Sequence, residues 1–511
     1  MRPGSGSTDD QGAHPAQESH VKSLVPLATA LLCACPAAHA ATFTVTSLAD
    51  AGAGSLRAAI ASANAAAGAD TIAFQAGLTG TITLASGELR ISDSLTITGP
   101  GANRITVDGN DASRVFHIDD TGPDDRAFAF SGLTVTGGRA VAANDDQGGG
   151  LYLAPSFDQV PLRLTSMVFT ANHAARRGGA ISVSGSQLTL VNVHLTGNAV
   201  EGGFQPSGGA LYADRTALVM ERCRVVDNDA QLSGGGISMS SPGISASISD
   251  TLVQGNTATH TGAGMNVGTM SHLTIRRSAF VQNWLTSQTE GGAIYFAGVT
   301  DAGSPENVIE NTTFSGNISQ HDSGRGSALA IASGNMTVRN STFAHNRTSP
   351  DAAGTPTAGG ALWVANGTST RVTVQSTLFA DNTHGNASTP RDLTRLTGGG
   401  GESTLSVDHS LFEVLPAIGV ITNPGTGNFE ADAQLLPLAY AGGATPVHAL
   451  PLASPAIDAG ANPANLTTEQ RGPGFARAMD ANPCRRPLVA RADIGAYEYR
   501  SDTIFCYGFN N

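Results

Sequence analysis

Aromatic and charged side chains are both scarce in this sequence. Phe, Trp and Tyr make up 5% of the 511 residues, and Asp, Glu, Lys and Arg make up 14%, whereas glycine occurs 62 times. A chain of this length is too long for one ordinary core, unless the core is extended by repetition. The 28 basic and 41 acidic side chains give a net charge of -13 without a long basic run, so nucleic acid is not an expected partner.

Cysteine is rare as well, and its five occurrences show none of the spacings of metal-binding Cys or His residues. We therefore expect no metal site built on cysteine. Cys223 lies in an apolar stretch, which favours a buried free thiol. Cys484 and Cys506 could form a disulfide bond in an exported protein.

A hydrophobic run long enough to cross a membrane is also missing. The candidate from residue 24 to about residue 35 is too short for a stable span. It precedes Ala38-His39-Ala40, which is typical of a secretory signal peptide cut before Ala41. Residues 32–35 offer a lipoprotein-type site as the alternative. We expect residues 1–40 to be a disordered leader and signal peptide, and the mature chain to have no transmembrane span.

The chain does have an eightfold repeat, between about residues 148 and 382. Each repeat opens with small residues, continues as a short alternating strand and ends in Asn after a second apolar run. The first apolar residues recur in steps of 26 to 35 residues, at Leu151, Ile181, Leu211, Ile237, Met265, Ile294, Leu329 and Leu362. The terminal residues are Asn172, Asn198, Asn228, Asn256, Asn283, Asn317, Asn346 and Asn382. A period of this length indicates stacked repeats, and the Asn column predicts a structural ladder of side chains.

These columns predict an all-β fold, a single-stranded parallel β-helix with three short strands per turn. Leucine-rich repeats are the main competitor, but their signature is absent. A propeller needs four strands in about 40 residues and a regular spacing. A helix over residues 55–64, with Ser55 as its N-cap, should close the open end of the core.

The same patterns suggest a division of the mature chain. We predict an N-terminal cap and first coils over residues 41–140 and the β-helix repeats over residues 141–400. The last coils and a C-terminal cap over the core should follow at residues 401–499, and residues 500–511 form a tail.

Segments at both ends resemble known families. Residues 44–48 and 52–60 resemble the CSLREA-type N-terminal segment of secreted bacterial β-helix proteins, although Gly54 and Ala58 stand where the family has Cys and Glu. The stretches that resemble the choice-of-anchor Q C-terminal segment are residues 448–450, 454–460, 469–472 and 493–498. The repeats are similar to those of polymorphic outer-membrane proteins. The resemblance implies a right-handed, pectin-lyase-like solenoid in a bacterial protein that is secreted or associated with the outer membrane.

Aromatic residues recur at the outward position of the first strand of each repeat. Four of the eight positions are aromatic and none is charged: Tyr152, Tyr212, Tyr295 and Trp363. Flat rings with polar rims suit stacking on sugars, although strand faces favour aromatic residues in any case. We predict that these four residues bind a polysaccharide or a glycan of a host or cell surface.

Candidate catalytic and metal-binding residues are weaker. His321, Asp322 and Arg325 form the most catalytic-looking group, but a lone group of this kind in a glycine-rich loop is more often a solvated turn. Oxygen ligands for Ca²⁺ could come from the Asp residues at 108, 111, 119, 120, 124 and 125, which also suit turns. No cofactor is expected.

The resulting hypothesis is a monomeric, non-catalytic adhesin or glycan-binding protein. The pectin-lyase-like scaffold that the resemblance implies also carries lyases, glycosidases and epimerases in other proteins. The alternative is therefore a polysaccharide lyase or glycoside hydrolase acting on acidic polysaccharide, with a site near residues 290–325. A purely structural envelope protein is the third possibility.

Overall fold

The computed structural model describes residues 40–119, 126–142, 145–154, 159–240, 244–270, 272–287, 290–298, 306–320, 325–348, 359–367, 370–385, 389–396, 403–479 and 490–500. They form a right-handed parallel β-helix of about 11 turns, as predicted. Each full turn contributes strands to four sheets, named here sheet 1 to sheet 4 in the order of their strands within one repeat. Three strands per turn were expected, and the fourth is a two-residue strand that directly follows the Asn column.

Sheet 1 begins each repeat, and its strands are Leu89–Ile91, Phe116–Ile118, Leu151–Leu153, Ile181–Ser184, Leu211–Asp214, Ile237–Ser240, Met265–Met270, Ile294–Gly298, Leu329–Ser333, Leu362–Val364 and Leu393–Arg395. Sheet 2 contains Thr42–Val45, Asp70–Phe74, Leu95–Thr98, Phe128–Ser131, Val160–Thr165, Ser186–Val191, Ala217–Glu221, Ser245–Ser249, His272–Arg276, Asn307–Glu310, Asn335–Arg339, Arg371–Gln375, Thr404–Asp408 and Asn423–Pro424.

Sheet 3 contains Gly80–Thr83, Ile105–Asp108, Thr134–Thr136, Val168–Thr170, His194–Thr196, Arg224–Val226, Leu252–Gln254, Ala279–Val281, Thr313–Ser315, Thr342–Ala344, Leu378–Ala380, Leu411–Phe412 and Phe429–Glu430. Sheet 4 contains Arg139–Ala140, His173–Ala174, Ala199–Val200, Asp229–Ala230, Thr257–Ala258, Trp284–Leu285, Ile318–Ser319, Arg347–Thr348, Thr383–His384 and Thr389–Pro390. The last pair of sheet 4 is antiparallel, and the neighbours within all four sheets are otherwise parallel.

Left-handed residues turn the coil between sheets. Between sheets 2 and 3 they are Ser166, Asn192, Arg222, Asp250, Arg277, Asn311, Asn340, Ser376 and His409. In the turn before sheet 1 the left-handed residue is glycine. A larger residue there would be strained by the positive φ and would also place its Cβ against the backbone. A Cβ on Gly178 (φ 60°) would lie 2.0 Å from the carbonyl oxygen of Ile181. The small-residue start of each repeat is therefore a steric requirement of this corner.

The interior holds two aligned columns. The Asn side chains from Asn172 to Asn382 are buried, and each donates from Nδ2 to Oδ1 of the next at 2.8–3.0 Å. Beside them, the rings of Phe280, Phe314, Phe343, Phe379 and Phe412 stack with centroids 4.6–5.2 Å apart. Both columns join successive coils along the axis of the solenoid.

The core is closed at its first turns by the helix Leu56–Ala65. Ser55 is its N-cap, with Oγ accepting a hydrogen bond from the backbone N–H of Ala58 at 3.1 Å. Leu56 and Ile60 face the core and are buried, so the predicted helical cap is present. At the other end, Val420 and Ile421 pack against the core.

The C-terminal segment lies elsewhere than expected. Residues 433–479 and 490–499, here called the strap, were expected to cover the end of the core but lie on the outer face of sheet 3. Their contacts reach across several coils: Tyr440 to Arg224, Thr445 to Arg277, Gln470 to Thr313, His448 to Ser315, Ala496 to Thr342 and Gly495 to Ser376. None of the described helices is long and apolar enough to cross a membrane.

Candidate functional site

The outward residues of sheet 1 form one register-locked column. His117 pairs with Tyr152, Tyr152 with Ser182, and Ser182 with Tyr212. Further along, the column continues through Ser238, Asn266, Tyr295, Ala330 and Trp363. At about 4.8 Å per strand, Tyr152 and Tyr212 lie about 10 Å apart, and Tyr212 and Tyr295 about 14 Å apart.

The four predicted ligand-binding residues differ in exposure. Tyr152, Tyr212 and Tyr295 are half-buried, so part of each ring reaches the surface. Trp363 is only 2% exposed, and the guanidinium carbon of Arg325 lies 5.1 Å from its ring centroid. Trp363 is therefore part of the packing and offers no face to a sugar.

Arginine side chains also cover two of the tyrosines. The guanidinium carbon of Arg114 lies 4.9 Å from the ring centroid of Tyr152, and that of Arg177 lies 4.6 Å from the ring centroid of Tyr212. Both arginines come from the segments that lead into sheet 1, one coil before the tyrosine that they cover. Such stacking fixes a planar cation on an aromatic surface.

A charged cluster occupies the start of the column. Arg114 is buried, and its guanidinium donates to Glu88 Oε2 at 2.6 Å and to Asp145 Oδ1 at 2.5 Å. His117 Nδ1 lies 2.8 Å from Glu88 Oε1, and the imidazole lies 5.2 Å from the Tyr152 ring. Glu88, Arg114 and His117 were not among the predicted site residues, because they precede the regular repeats.

The electrostatics of this cluster favour an ionised Glu88. Burial raises the pKa of Glu88, but the hydrogen bond from His117 and the charge of Arg114 outweigh it, so the pKa is lowered. An ionised carboxylate accepts from Nδ1–H of His117. No hydrogen bond to Nε2 of His117 occurs among the described residues. A carboxylate-oriented histidine of this kind can transfer protons.

The predicted catalytic group is only partly visible. His321 and Asp322 lie outside the described residues. Arg325 donates to Glu290 Oε1 at 2.6 Å and covers Trp363, so its charge is already paired. The described part of this region therefore contains an ion pair that stabilises a packed tryptophan, and it does not add support to a catalytic site near residues 290–325.

The candidate Ca²⁺ ligands serve local structure where they are described. Asp108 Oδ1 accepts the backbone N–H of Asn110 in a turn, and Asp119 pairs with Arg90 at 2.9 Å. The residues at 120, 124 and 125 lie outside the described ranges. Within those ranges, no group of three His, Cys, Asp or Glu side chains could hold a metal ion.

The cysteine prediction is confirmed for one residue. Cys223 is a buried free thiol, and burial raises its pKa to about 11, so it is not a reactive thiolate. Cys484 and Cys506 both lie outside the described residues.

Trp284 is an exposed aromatic residue that the sequence analysis also missed. It lies in sheet 4, is 42% exposed and donates from Nε1 to Gln320 Oε1 at 3.0 Å. Trp284 directly follows Asn283 of the Asn column, so its position could have been predicted from the sequence. The two-residue strands of sheet 4 were not expected, and so the exposure of Trp284 was not predicted.

The fold defines the class of protein, a right-handed parallel β-helix. Residues 181–392 match the family model of the right handed beta helix region. Among solved structures, the chain is similar to that of endo-xylogalacturonan hydrolase from Aspergillus tubingensis, with 12% identity, a TM-score of 0.27, and coverage of 76% of this chain and 100% of that one. A likeness of this size carries no argument about activity. No curated protein matches the chain.

Proposed function

We propose that this chain is a non-catalytic glycan-binding protein or adhesin that acts outside the cell, either secreted or attached to the outer membrane. The observation that carries the proposal is the outward column of sheet 1. Tyr152, Tyr212 and Tyr295 present half-buried rings on one face, with serine and asparagine between them. Rings at fixed intervals, with hydrogen-bonding groups between them, suit an extended chain of sugar rings.

The test is retention of the mature chain on immobilised polysaccharides. The panel should cover acidic, neutral and sulfated polymers, and binding is followed by affinity gel electrophoresis. Tyr212→Ala and Tyr295→Ala should each weaken retention about five- to thirtyfold, since one lost stacking contact is worth roughly 1–2 kcal/mol. Tyr440→Ala is the matched control, because Tyr440 is 55% exposed but lies on the strap.

Two results would contradict the proposal. One is the absence of retention on every polymer. The other is an equal loss of retention in all three tyrosine variants, because that outcome would place binding outside sheet 1 or reflect general loss of the fold.

A second candidate function is cleavage of acidic polysaccharide, and one observation favours it. His117 is oriented by Glu88 and lies beside Tyr152 in the same column. Unsaturated products or new reducing ends would reveal cleavage. Their disappearance in both His117→Ala and Glu88→Gln, with retention on the polymer preserved, would assign the activity to this pair.

A further inference from the structure

The three tyrosines of the column lie in different electrostatic environments. Near Tyr152 the charged side chains include Arg114, Asp145 and Asp146. Near Tyr212 they include Arg177, Asp214 and Arg215. Glu290 is the charged side chain that acts on Tyr295. Most of these side chains form ion pairs, so the arginine beside Tyr212 that lacks one among the described residues decides the local charge.

Arg177 is the distinctive member of this group. Arg176 is paired with Asp146 at 3.1 Å, and Arg215 contacts Asp214 at 3.4 Å. The side chain of Arg177, by contrast, makes neither an ion pair nor a hydrogen bond within the described part of the chain. Its only side-chain interaction there is the stacking on Tyr212 at 4.6 Å.

The guanidinium of Arg177 is half-buried, stacked on a ring and unpaired among the described residues, so it can bind an anion. Its donors form a planar fork that matches a carboxylate or sulfate, and the stacked ring limits its conformational freedom. Partial burial also strengthens the attraction relative to an arginine fully surrounded by water. At the Tyr295 position, by comparison, the carboxylate of Glu290 is already paired with Arg325 at 2.6 Å.

We propose that Arg177 and Tyr212 form an anion-binding subsite that takes the carboxylate or sulfate group of an acidic sugar. The inference rests on the proposed function and deepens it by naming the ligand class. The charged group of the ligand then lies in the middle of the face, about three strand spacings from Tyr295.

The experiment uses matched polymers that differ only in charge. Polygalacturonate is compared with its fully methyl-esterified form, and dextran sulfate with dextran, so that the two pairs separate carboxylate from sulfate recognition. The wild-type chain should bind the charged member of at least one pair about tenfold or more tightly. The preference should shrink as salt is added.

The variant Arg177→Gln removes the charge and keeps much of the side-chain length. It should reduce the ratio of charged to neutral affinity to near one. Arg163→Gln is the control, because Arg163 is an exposed arginine on the outer face of sheet 2, and it should leave the ratio unchanged.

The outcomes separate the two proposals. Equal wild-type affinity for both members of both pairs, or an unchanged ratio in Arg177→Gln, would overturn the anion subsite. If Tyr212→Ala still abolished binding in that case, the glycan-binding function would stand without the subsite. Absence of binding to any of the four polymers and to the wider panel would remove both.

Discussion

At the scale of single residues, the corners of the coil impose the strictest demands. Gly178, before sheet 1, and Gly197, before the Asn column, both have φ near 60°, yet their surroundings differ. A Cβ on Gly178 would meet the Ile181 carbonyl at 2.0 Å, whereas a Cβ on Gly197 would meet nothing within 4 Å. The corner before the Asn column accordingly accepts other residues, with Ala171, Asp227, Gln282, His345 and Asp381 at equivalent places.

These two glycines give a matched pair of substitutions. Gly197→Ala should cost about 1 kcal/mol, the penalty of a left-handed alanine. Gly178→Ala adds a backbone collision, and we expect a loss above about 2 kcal/mol. Thermal melts of both variants measure the difference, and equal melting temperatures would contradict a steric requirement at the first glycine.

Asp392 is a residue whose protonation should affect stability. Its Oδ1 accepts Nδ2 of Asn382 at the end of the Asn column, and Oδ2 accepts the backbone N–H of Glu413. Burial raises the pKa of Asp392 from 3.8 to about 7. Because the folded-state pKa is the higher one, the stabilising contribution is full below pH 3.8 and is lost as the pH rises through 7.

The prediction is a melting temperature that falls between pH 5 and pH 7.5, with a smaller fall in Asp392→Asn. Asp111→Asn, at an exposed turn, should keep the wild-type pH dependence. A pH profile of Asp392→Asn that parallels the wild type would show that another group is responsible.

At the scale of elements, the Asn ladder bonds each coil to both of its neighbours. Asn256 Oδ1 accepts from the backbone N–H and from Nδ2 of Asn228, while its own Nδ2 donates to Val225 and Asn283. All these groups are buried, so water cannot replace a lost partner.

Asn256→Ala should therefore destabilise the protein by about 3 kcal/mol or more, since several buried groups lose their partners at once. Asn103→Ala, at an exposed turn, is expected to change stability by about 0.5 kcal/mol at most. Chemical denaturation followed by circular dichroism provides the comparison. A cost for Asn256→Ala as small as that of the control would mean that the ladder contributes little.

The sequence predicted this part of the structure well, for a physical reason. Stacking places identical positions over one another, so the Asn and Phe columns appear in the sequence as fixed offsets. The strands of sheet 4 are only two residues long, and no alternation can show in them. The cluster around Glu88 and His117 joins residues from separate, irregular loops, and the burial of Trp363 depends on Arg325 in the preceding segment. Neither the cluster nor the burial of Trp363 can be predicted from the repeat period of the sequence.

At the scale of the whole molecule, the strap contains a buried pair of oppositely charged side chains. Arg477 and Glu498 are both buried, with Nη2 and Oε2 3.2 Å apart. Burial raises the pKa of Glu498 to about 8, and the nearby charge of Asp493 adds to this, although Arg477 opposes it. Removing Arg477 alone would leave a buried carboxylate without its cation.

Arg477→Met should lower stability by about 3–5 kcal/mol. The loss should be larger at pH 8 than at pH 5, because an acid whose pKa is raised loses stability as the pH rises. Adding Glu498→Gln to Arg477→Met should recover part of the loss. A double variant as unstable as the sum of its single variants would argue against coupling between the two side chains.

The strap has a consequence for how this protein could change its length. A solenoid held only by neighbouring coils can gain or lose a coil at little cost, because each repeat depends on the next one alone. The strap contacts coils from Arg224 to Ser376. Its length therefore fixes the number of coils between these two residues. Deleting a whole coil between residues 151 and 200 should therefore still give a folded protein. Deleting a coil that the strap covers should prevent folding or strongly destabilise the protein.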